Sequence, residues 1–245
     1  MFRFKQFVVR DEQCGMKVGT DGTLLGAWVP VDGVSAVSLP EKVGTAARVL
    51  DVGTGSGLIA LMIAQRCPQA QVLGIDIDEA AVRQAEDNFA CSPWRDRLKA
   101  RLCPLQQLAQ GEVTGRYDLI VSNPPYFVDS LKNPEVSRRM ARHTDSLRYD
   151  ELLSGSRRLL TDEGTLALIL PAETEEAVVR AAAVEGLFAY KITRVRTKAS
   201  KPVKRVLLAF SMKNRPVETD ELVLIANDNA PRSEAYQSLC RDFYL

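Results

Sequence analysis

The feature that most limits the fold of this chain is an apolar run that passes through three closely spaced glycines into a second apolar run. The segment reads VLDVGTGSGLIAL at residues 49–61. The aliphatic residues before the glycines are typical of a buried strand, and those after them are typical of a buried helix. Glycines permit a tight turn and a close approach of a ligand to the backbone. This order predicts the first βα unit of an open α/β sheet.

Strand and helix patterns continue to alternate after this unit. Asp78 and Asp150 each precede a helical pattern and are predicted to cap it. We therefore expect a doubly wound α/β fold with a seven-stranded, mostly parallel sheet whose last strand is antiparallel. The predicted strands are RVLDVG at 48–53, QVLGIDI at 71–77, LKARLCPL at 98–105, YDLIVSN at 117–123, TLALILP at 165–171, and a closing hairpin of YKITRVRTK at 190–198 and RVLLAFSMK at 205–213.

The length and the apolar content favour one domain with additions. The chain has 245 residues, of which 46% are hydrophobic, enough for one sizeable core. Residues 46–217 form the predicted catalytic core. Residues 1–45 are predicted to be an N-terminal extension or lid, and residues 218–245 a tail that docks on the core, because neither has enough apolar residues to fold alone.

The overall charge gives no indication of a nucleic-acid partner, and the cysteine pattern argues against a metal site. The chain has 32 Lys and Arg against 31 Asp and Glu, so its net charge of +1 does not indicate a nucleic-acid binder. The 5 cysteines are scattered without a CxxC pair, which predicts free thiols and no metal site. No long apolar run or signal peptide is evident, so we expect a cytoplasmic protein without a membrane partner. The sequence leaves the oligomeric state open, with a monomer favoured.

Two acidic residues accompany the glycine turn. Asp51 precedes the first glycine by two residues, and Asp76 ends the next predicted strand, where a carboxylate suits two ribose hydroxyls. Asp51 would repel a pyrophosphate and attract an ammonium group, which disfavours a dinucleotide site, although a nicotinamide site and a ligand-free turn stay open. The pattern resembles motif I of the class I S-adenosylmethionine methyltransferases. The resemblance implies S-adenosylmethionine as cofactor, held by Asp51, Gly53, Gly55, Gly57 and Asp76.

One part of that pattern is missing. Many such methyltransferases carry an acid after the third strand that holds the adenine amine, whereas RLCPLQ at residues 101–106 contains none. Backbone groups or Gln106 are the alternatives for holding the adenine.

The tetrad Asn123-Pro124-Pro125-Tyr126 ends the fourth predicted strand. The carboxyl ends of the strands are where open α/β sheets bind their ligands. The tetrad resembles the (D/N/S)PP(Y/F/W) element of amino methyltransferases. The Asn123 side chain and the Pro124 carbonyl offer two acceptors for an amine, the prolines stiffen the backbone, and Tyr126 offers a face for stacking a base. Adenine N6, guanine N2 and a protein glutamine amide are all compatible substrates, and a simple strand-ending turn is the alternative.

Three segments, one at each end of the chain and one in its interior, narrow the choice of substrate. FRFKQFVVRDEQCGMKVGTDGTLLGAW at residues 2–28, ARHTDSL at 141–147 and LCRDFYL at 239–245 closely resemble the bacterial tRNA1(Val) adenine-N6 methyltransferase family. The resemblance implies methylation of the adenosine on the 3′ side of the anticodon in a valine tRNA, with the anticodon stem-loop as partner. A protein N5-glutamine methyltransferase, a ribosomal RNA guanine-N2 methyltransferase and a cofactor-binding module without turnover are the alternatives.

Other residues are candidates for contacting cofactor or RNA. Thr20 and Asp21 are predicted at the cofactor, and Lys17 at a phosphate. Residues 191–215 hold nine basic residues and no acid, which favours phosphate contacts, with a solvated charged face as the alternative. The candidates for RNA contact are Lys17, Phe127, Arg138, Arg139, Arg142, Lys198, Lys201, Lys204 and Arg205.

Overall fold

The computed structural model describes residues 1–15, 17–31, 46–111, 116–125, 147–226 and 232–244. Among the described residues, strands and helices alternate from residue 48 to residue 198, as the sequence predicts. The strands are β1 (Phe2–Arg3), β2 (Val8–Val9), β3 (Arg48–Val52), β4 (Gln71–Asp76), β5 (Leu98–Leu102), β6 (Tyr117–Ser122), β7 (Leu160–Pro171), β8 (Phe188–Lys198), β9 (Val203–Ser211) and β10 (Glu218–Ile225). The helices are α1 (Thr20–Trp28), α2 (Leu58–Arg66), α3 (Glu79–Ala90), α4 (Leu105–Gly111), α5 (Tyr149–Leu159), α6 (Glu175–Val184) and α7 (Glu234–Cys240).

The main sheet has the strand order β5-β4-β3-β6-β7-β9-β8-β10. The strand β9 is antiparallel to both of its neighbours, whereas the other pairs are parallel. The chain runs outward from β3 to β5 and then returns to β6, so the strand order reverses between β3 and β6. The predicted α/β class and its mostly parallel sheet are confirmed. The reversal leaves a crevice at the carboxyl ends of β3 and β6, which is the usual ligand site of such a sheet.

The sheet has a hydrophobic core on each face, because successive residues of a strand point to opposite sides. Val49 of β3 belongs to one core cluster, which also contains residues of α1 and α2, while Leu50 belongs to the other, with residues of α5 and α6. Both side chains are fully buried. Burying an aliphatic side chain of this size contributes about 1.5–3 kcal/mol, so the two cores fix the position of the strand that leads into the glycines.

The predicted number of strands is wrong by one. The sequence predicts seven strands followed by a tail, whereas the main sheet of the described residues has eight, because β10 pairs in parallel with β8. Its first residues, 218–221, are exposed and mostly acidic, while Leu222 and Leu224 are buried. Exposed charges are common on edge strands, where they discourage further pairing. In β10 they leave an alternating apolar pattern only in the second half of the strand, so the sequence does not indicate a strand there.

One of the two predicted helix caps is confirmed. The Asp78 side chain accepts a hydrogen bond from the Ala80 amide at 2.9 Å, at the start of α3. Asp150 is not a cap, because α5 begins at Tyr149 with Arg148 at the cap position. The Arg148 amide donates to Glu151 at 3.1 Å, so Asp150 lies in the first turn, where a carboxylate favours the helix dipole.

The N-terminal segment packs on the core and on the end of the chain. α1 approaches α2 so closely that a Cβ on Gly26 would lie 2.6 Å from the Met62 sulfur. The indole of Trp28 donates to the Thr193 hydroxyl at 2.8 Å, and the Lys5 amide donates to the Phe243 carbonyl at 2.8 Å. No helix among the described residues has the length and apolarity needed to cross a membrane.

Candidate active site

The glycine turn between β3 and α2 has a left-handed backbone at each of its three glycines. Gly53, Gly55 and Gly57 have φ angles of 71°, 54° and 78°. The amides of Gly53 and Thr54 both donate to the Ile75 carbonyl, at 2.9 and 3.0 Å, and so bind the turn to the end of β4. Because L-residues with a Cβ are strained in this region, the sequence needs glycine at these positions.

The same glycines differ in what surrounds them. A Cβ on Gly53 or Gly55 would meet no atom within 4 Å, whereas a Cβ on Gly57 would lie 2.4 Å from a ring carbon of Phe89. The first two glycines therefore face open space, and the third allows α3 to pack against the start of α2.

Asp51 lies beneath the turn. Its side chain has no exposure and accepts hydrogen bonds from the Thr54 hydroxyl at 2.7 Å and the Ala60 amide at 3.2 Å. Burial raises the pKa of this carboxyl to about 7, and the two hydrogen bonds oppose the rise. The sequence predicts a direct contact between Asp51 and an ammonium group. The side chain supports the turn and does not line the cavity described below, while its second oxygen has no hydrogen-bond partner among the described residues, so the contact with an ammonium group stays a prediction.

Asp76 ends β4 at the predicted place. One carboxylate oxygen accepts from the Gly55 amide at 2.9 Å, and the other accepts from the Asp78 amide at 3.0 Å. Each oxygen keeps a further lone pair for a ligand. The carboxylate is therefore oriented by the glycine turn itself and lies in the wall of the cavity.

The Asn-Pro-Pro segment leaves the end of β6 beside the glycine turn. The Ser122 hydroxyl donates to the Val52 carbonyl at 2.8 Å, which joins the carboxyl ends of β6 and β3. Asn123 follows and is half-buried, Pro124 is buried, and Pro125 is exposed. Tyr126 lies outside the described residues. The structure thus brings the glycine turn and the Asn-Pro-Pro segment to one crevice, as the sequence predicts from the strand ends.

A single cavity of about 1420 Å³ joins these features. The glycine turn and Asp76 form part of its wall, and residues 122–125 form another part. At the end of β5 the wall is formed by Cys103, Pro104, Leu105 and Gln106, and none of these residues is acidic. Ile77, which the sequence analysis does not single out, also lines the cavity and is 50% exposed. A large apolar residue directly after a strand-ending acid is the signal that identifies it.

The N-terminal segment supplies another part of the wall, which includes Lys17, Thr20 and Asp21. The Asp21 carboxylate accepts a hydrogen bond from the Arg205 guanidinium at 2.8 Å, and both side chains are mostly buried. The Lys17 ammonium donates to the carbonyls of Asp11 and Glu12 at 2.7 and 3.1 Å. Cys14 lies here too, and burial raises the pKa of its thiol to about 11, so it stays protonated at neutral pH.

Four of the nine basic residues at 191–215 form ion pairs with acids from other elements. Arg194 pairs with Glu175, Arg196 with Glu221 and Lys213 with Glu163, and Arg205 pairs with Asp21. The Arg215 guanidinium lies 3.5 Å from the centre of the Tyr190 ring.

Two lysines at and just after the turn that follows β8 differ from these paired residues. Lys201 and Lys204 are exposed and contact no carboxylate in the part of the chain that the structure describes, and Lys204 lines the cavity. Lys198 is half-buried. Phe127, Arg138, Arg139 and Arg142 lie outside the described residues. Within the described ranges, no group of acidic, cysteine or histidine residues is placed to hold a metal ion.

Sequence comparison first shows the class of protein, which is a methyltransferase. The profile of the methyltransferase small domain matches residues 31–178, which contain the glycine turn and the Asn-Pro-Pro segment. A solved structure described as a predicted O-methyltransferase from Agrobacterium tumefaciens shares the fold, with a TM-score of 0.68 at 16% identity over 91% of this chain and 96% of that one.

Curated relatives narrow the class to one family. Two proteins named tRNA1(Val) (adenine(37)-N6)-methyltransferase, from Bacteroides thetaiotaomicron and Phocaeicola vulgatus, are 44% and 45% identical to this chain, covering 100% of it and 97% of each relative. The chain belongs to the tRNA1(Val) (adenine(37)-N6)-methyltransferase family.

Proposed function

We propose that this protein transfers a methyl group from S-adenosylmethionine to the N6 amine of an adenosine in tRNA, at the position 3′ of the anticodon of a valine tRNA. The observation that carries the proposal is the placement of the glycine turn, Asp76 and Asn123 around one cavity. The names of the relatives support the choice of tRNA and of adenine.

The residues at the glycine turn fit S-adenosylmethionine. A Cβ on Gly53 or Gly55 would occupy open space at the turn, so glycine leaves room for a ligand against the backbone. The free lone pairs of Asp76 suit the two ribose hydroxyls, and the exposed face of Ile77 suits an adenine ring. Gln106 is the side chain in the wall that offers an amide to the adenine edge. When bound, S-adenosylmethionine supplies an electrophilic methyl group.

Asn123 and Pro124 would prepare the amine that accepts this group. The N6 amine of adenine is a weak nucleophile, because its lone pair is delocalised into the ring. The Asn123 side-chain oxygen and the Pro124 carbonyl would accept its two N–H bonds and draw the nitrogen toward a tetrahedral geometry. The two prolines have fixed φ angles, so both acceptors are held in place before the substrate arrives. Tyr126 would stack on the flipped-out base.

The RNA would approach over the turn that follows β8. Lys201 and Lys204 are exposed there, and Lys198 and Arg205 flank them. Thr20 and Asp21 line the cavity as candidates for contacting the donor, and Lys17 lines it as a candidate for contacting a phosphate. Asp21 is paired with Arg205. Contacts from lysines to phosphates add affinity without reading the sequence. The pairing of several neighbouring arginines confines this surface to fewer residues than the sequence indicates.

The test is transfer of labelled methyl from S-adenosylmethionine to total tRNA from cells that lack the enzyme, followed by nucleoside analysis. We expect the label in N6-methyladenosine. A matched pair of valine tRNAs, with adenosine or guanosine 3′ of the anticodon, should accept label only when adenosine is present. Label in the guanosine tRNA would refute the position. Label in ribosomal RNA or in a release factor, with none in tRNA, would refute the substrate.

A further inference from the structure

The buried side chain of Asn88 joins two parts of the chain that are far apart in sequence. Asn88 lies on α3 and is 3% exposed. Its side-chain oxygen accepts from the Arg10 amide at 2.9 Å, and its side-chain nitrogen donates to the Arg10 carbonyl at 2.7 Å and to the Ser56 carbonyl at 2.8 Å. Both amide N–H bonds are thus used. This fixes the orientation of the amide, because the flipped form would set an oxygen against two carbonyls.

The two partners belong to different parts of the cavity wall. Ser56 lies inside the glycine turn and lines the cavity. Arg10 begins the segment that carries Cys14, Gly15 and Lys17 into the wall on the other side. Gln84, one helical turn before Asn88, strengthens the same attachment, because its side chain accepts from the Gln13 amide at 3.3 Å.

We propose that Asn88 is a positioning residue of the methyl-donor site. Its amide holds the N-terminal segment and the glycine turn in one fixed arrangement, and binding of the donor depends on that arrangement. Asn88 does not line the cavity, so it acts through the backbones of Arg10 and Ser56. The inference rests on the proposed function, because it assumes that the glycine turn binds S-adenosylmethionine.

The test compares Asn88→Asp and Asn88→Ala with wild type. Asn88→Asp keeps the shape and the acceptor for the Arg10 amide but loses both donors, which leaves two buried carbonyls facing a carboxylate. We expect the dissociation constant and the KM for S-adenosylmethionine to rise about tenfold or more. The kcat at saturating donor and the KM for tRNA should stay within about twofold, because Asn123 and the RNA surface are unchanged.

Ser92→Ala is the matched control, at a buried polar residue just after the end of the same helix. Ser92 is 7% exposed, and its hydroxyl bonds only locally, donating to the Phe89 carbonyl and accepting from the Trp94 amide. Its loss should lower the melting temperature without changing donor affinity. If the Asn88 variants melt at lower temperature and bind the donor as wild type does, the residue is merely structural and the proposal is overturned.

Arg10→Pro tests the same hydrogen bond from the other partner, because it removes the backbone donor to Asn88 and leaves the Asn88 side chain intact, although it also fixes φ at residue 10. Arg10→Ala, which keeps that donor, is its control. The proline variant should weaken donor binding and the alanine variant should not. This pair decides the matter if the Asn88 variants fail to fold, and equal affinities would overturn the proposal. A wild-type protein that binds no S-adenosylmethionine would instead refute the proposed function.

Discussion

Gly57→Ala should destabilise the protein more than any other alanine substitution in the glycine turn. Gly57 has a φ of 78°, and an added Cβ would lie 2.4 and 2.8 Å from two ring carbons of Phe89. The left-handed backbone costs an L-residue about 1–2 kcal/mol. Overpacking against a ring that is 2% exposed adds about 1–3 kcal/mol. The expected loss in the free energy of unfolding is therefore about 2–5 kcal/mol.

Gly55→Ala is the comparison that isolates the contact with Phe89. Gly55 has a φ of 54°, but an added Cβ would meet no atom within 4 Å. Only the backbone cost of about 1–2 kcal/mol applies. Its methyl group would enter the cavity, so this variant should lose affinity for S-adenosylmethionine while keeping more of its stability.

Denaturant unfolding and calorimetric titration of the donor measure the two effects separately. A third variant combines Gly57→Ala with Phe89→Leu, which removes the ring and makes room for the added methyl group of the alanine. The double variant should be more stable than the sum of the single losses predicts, by about 1 kcal/mol. Equal stability losses for Gly55→Ala and Gly57→Ala, or strict additivity with Phe89→Leu, would refute the argument.

Four further predictions concern charge and catalysis. The pKa of Asp51 is raised from 3.8 to about 7, so its contribution to stability is fully present below pH 4 and is lost as pH rises toward 7; Asp51→Asn should remove this part of the pH dependence of unfolding. A double-mutant cycle on Asp21 and Arg205 should give a coupling of about 0.5–1 kcal/mol in unfolding that shrinks in high salt, since the pair is partly exposed. Asn123→Ala should lower kcat by about 100- to 1000-fold, measured as methyl transfer, with donor affinity unchanged. Lys204→Glu should weaken tRNA binding and flatten its dependence on salt concentration, whereas an unchanged slope would remove Lys204 from the RNA surface.

The sequence predicts the strand ends well, because one physical rule governs them. Parallel strands bring their carboxyl ends to one edge of a sheet, so residues that follow the strands meet there whatever their separation in the chain. Asp76 is the last residue of β4, Asn123 directly follows β6, and both line the cavity. Asp51 lies within a strand rather than after it, and the same rule would have placed its side chain in the core.

The sequence cannot predict which basic residues are neutralised. Residues 191–215 contain no acid, yet Glu175, Glu221, Glu163 and Asp21 supply partners from other elements. Those contacts depend on the register of β8 with β10 and on the packing of α1, which local patterns do not specify. A run of like charge in sequence is therefore a weak indication of a charged surface in the fold.

Apart from Lys17, whose ammonium is bound by two backbone carbonyls, the cavity-wall charges without an ionic partner in the described residues are separated along the sheet, and this separation has a consequence for the reaction. Asp76 and Asp78 lie at the end of β4, whereas Lys204 and Arg232 lie on the side of β8 to β10. In the strand order, β6 stands between these two sides and carries Asn123 at its end. A cationic donor with ribose hydroxyls suits the acidic side, and RNA phosphates suit the basic side. We therefore expect the methyl donor and the nucleotide to enter from opposite sides and to meet at Asn123, which is the place where the amine must be activated.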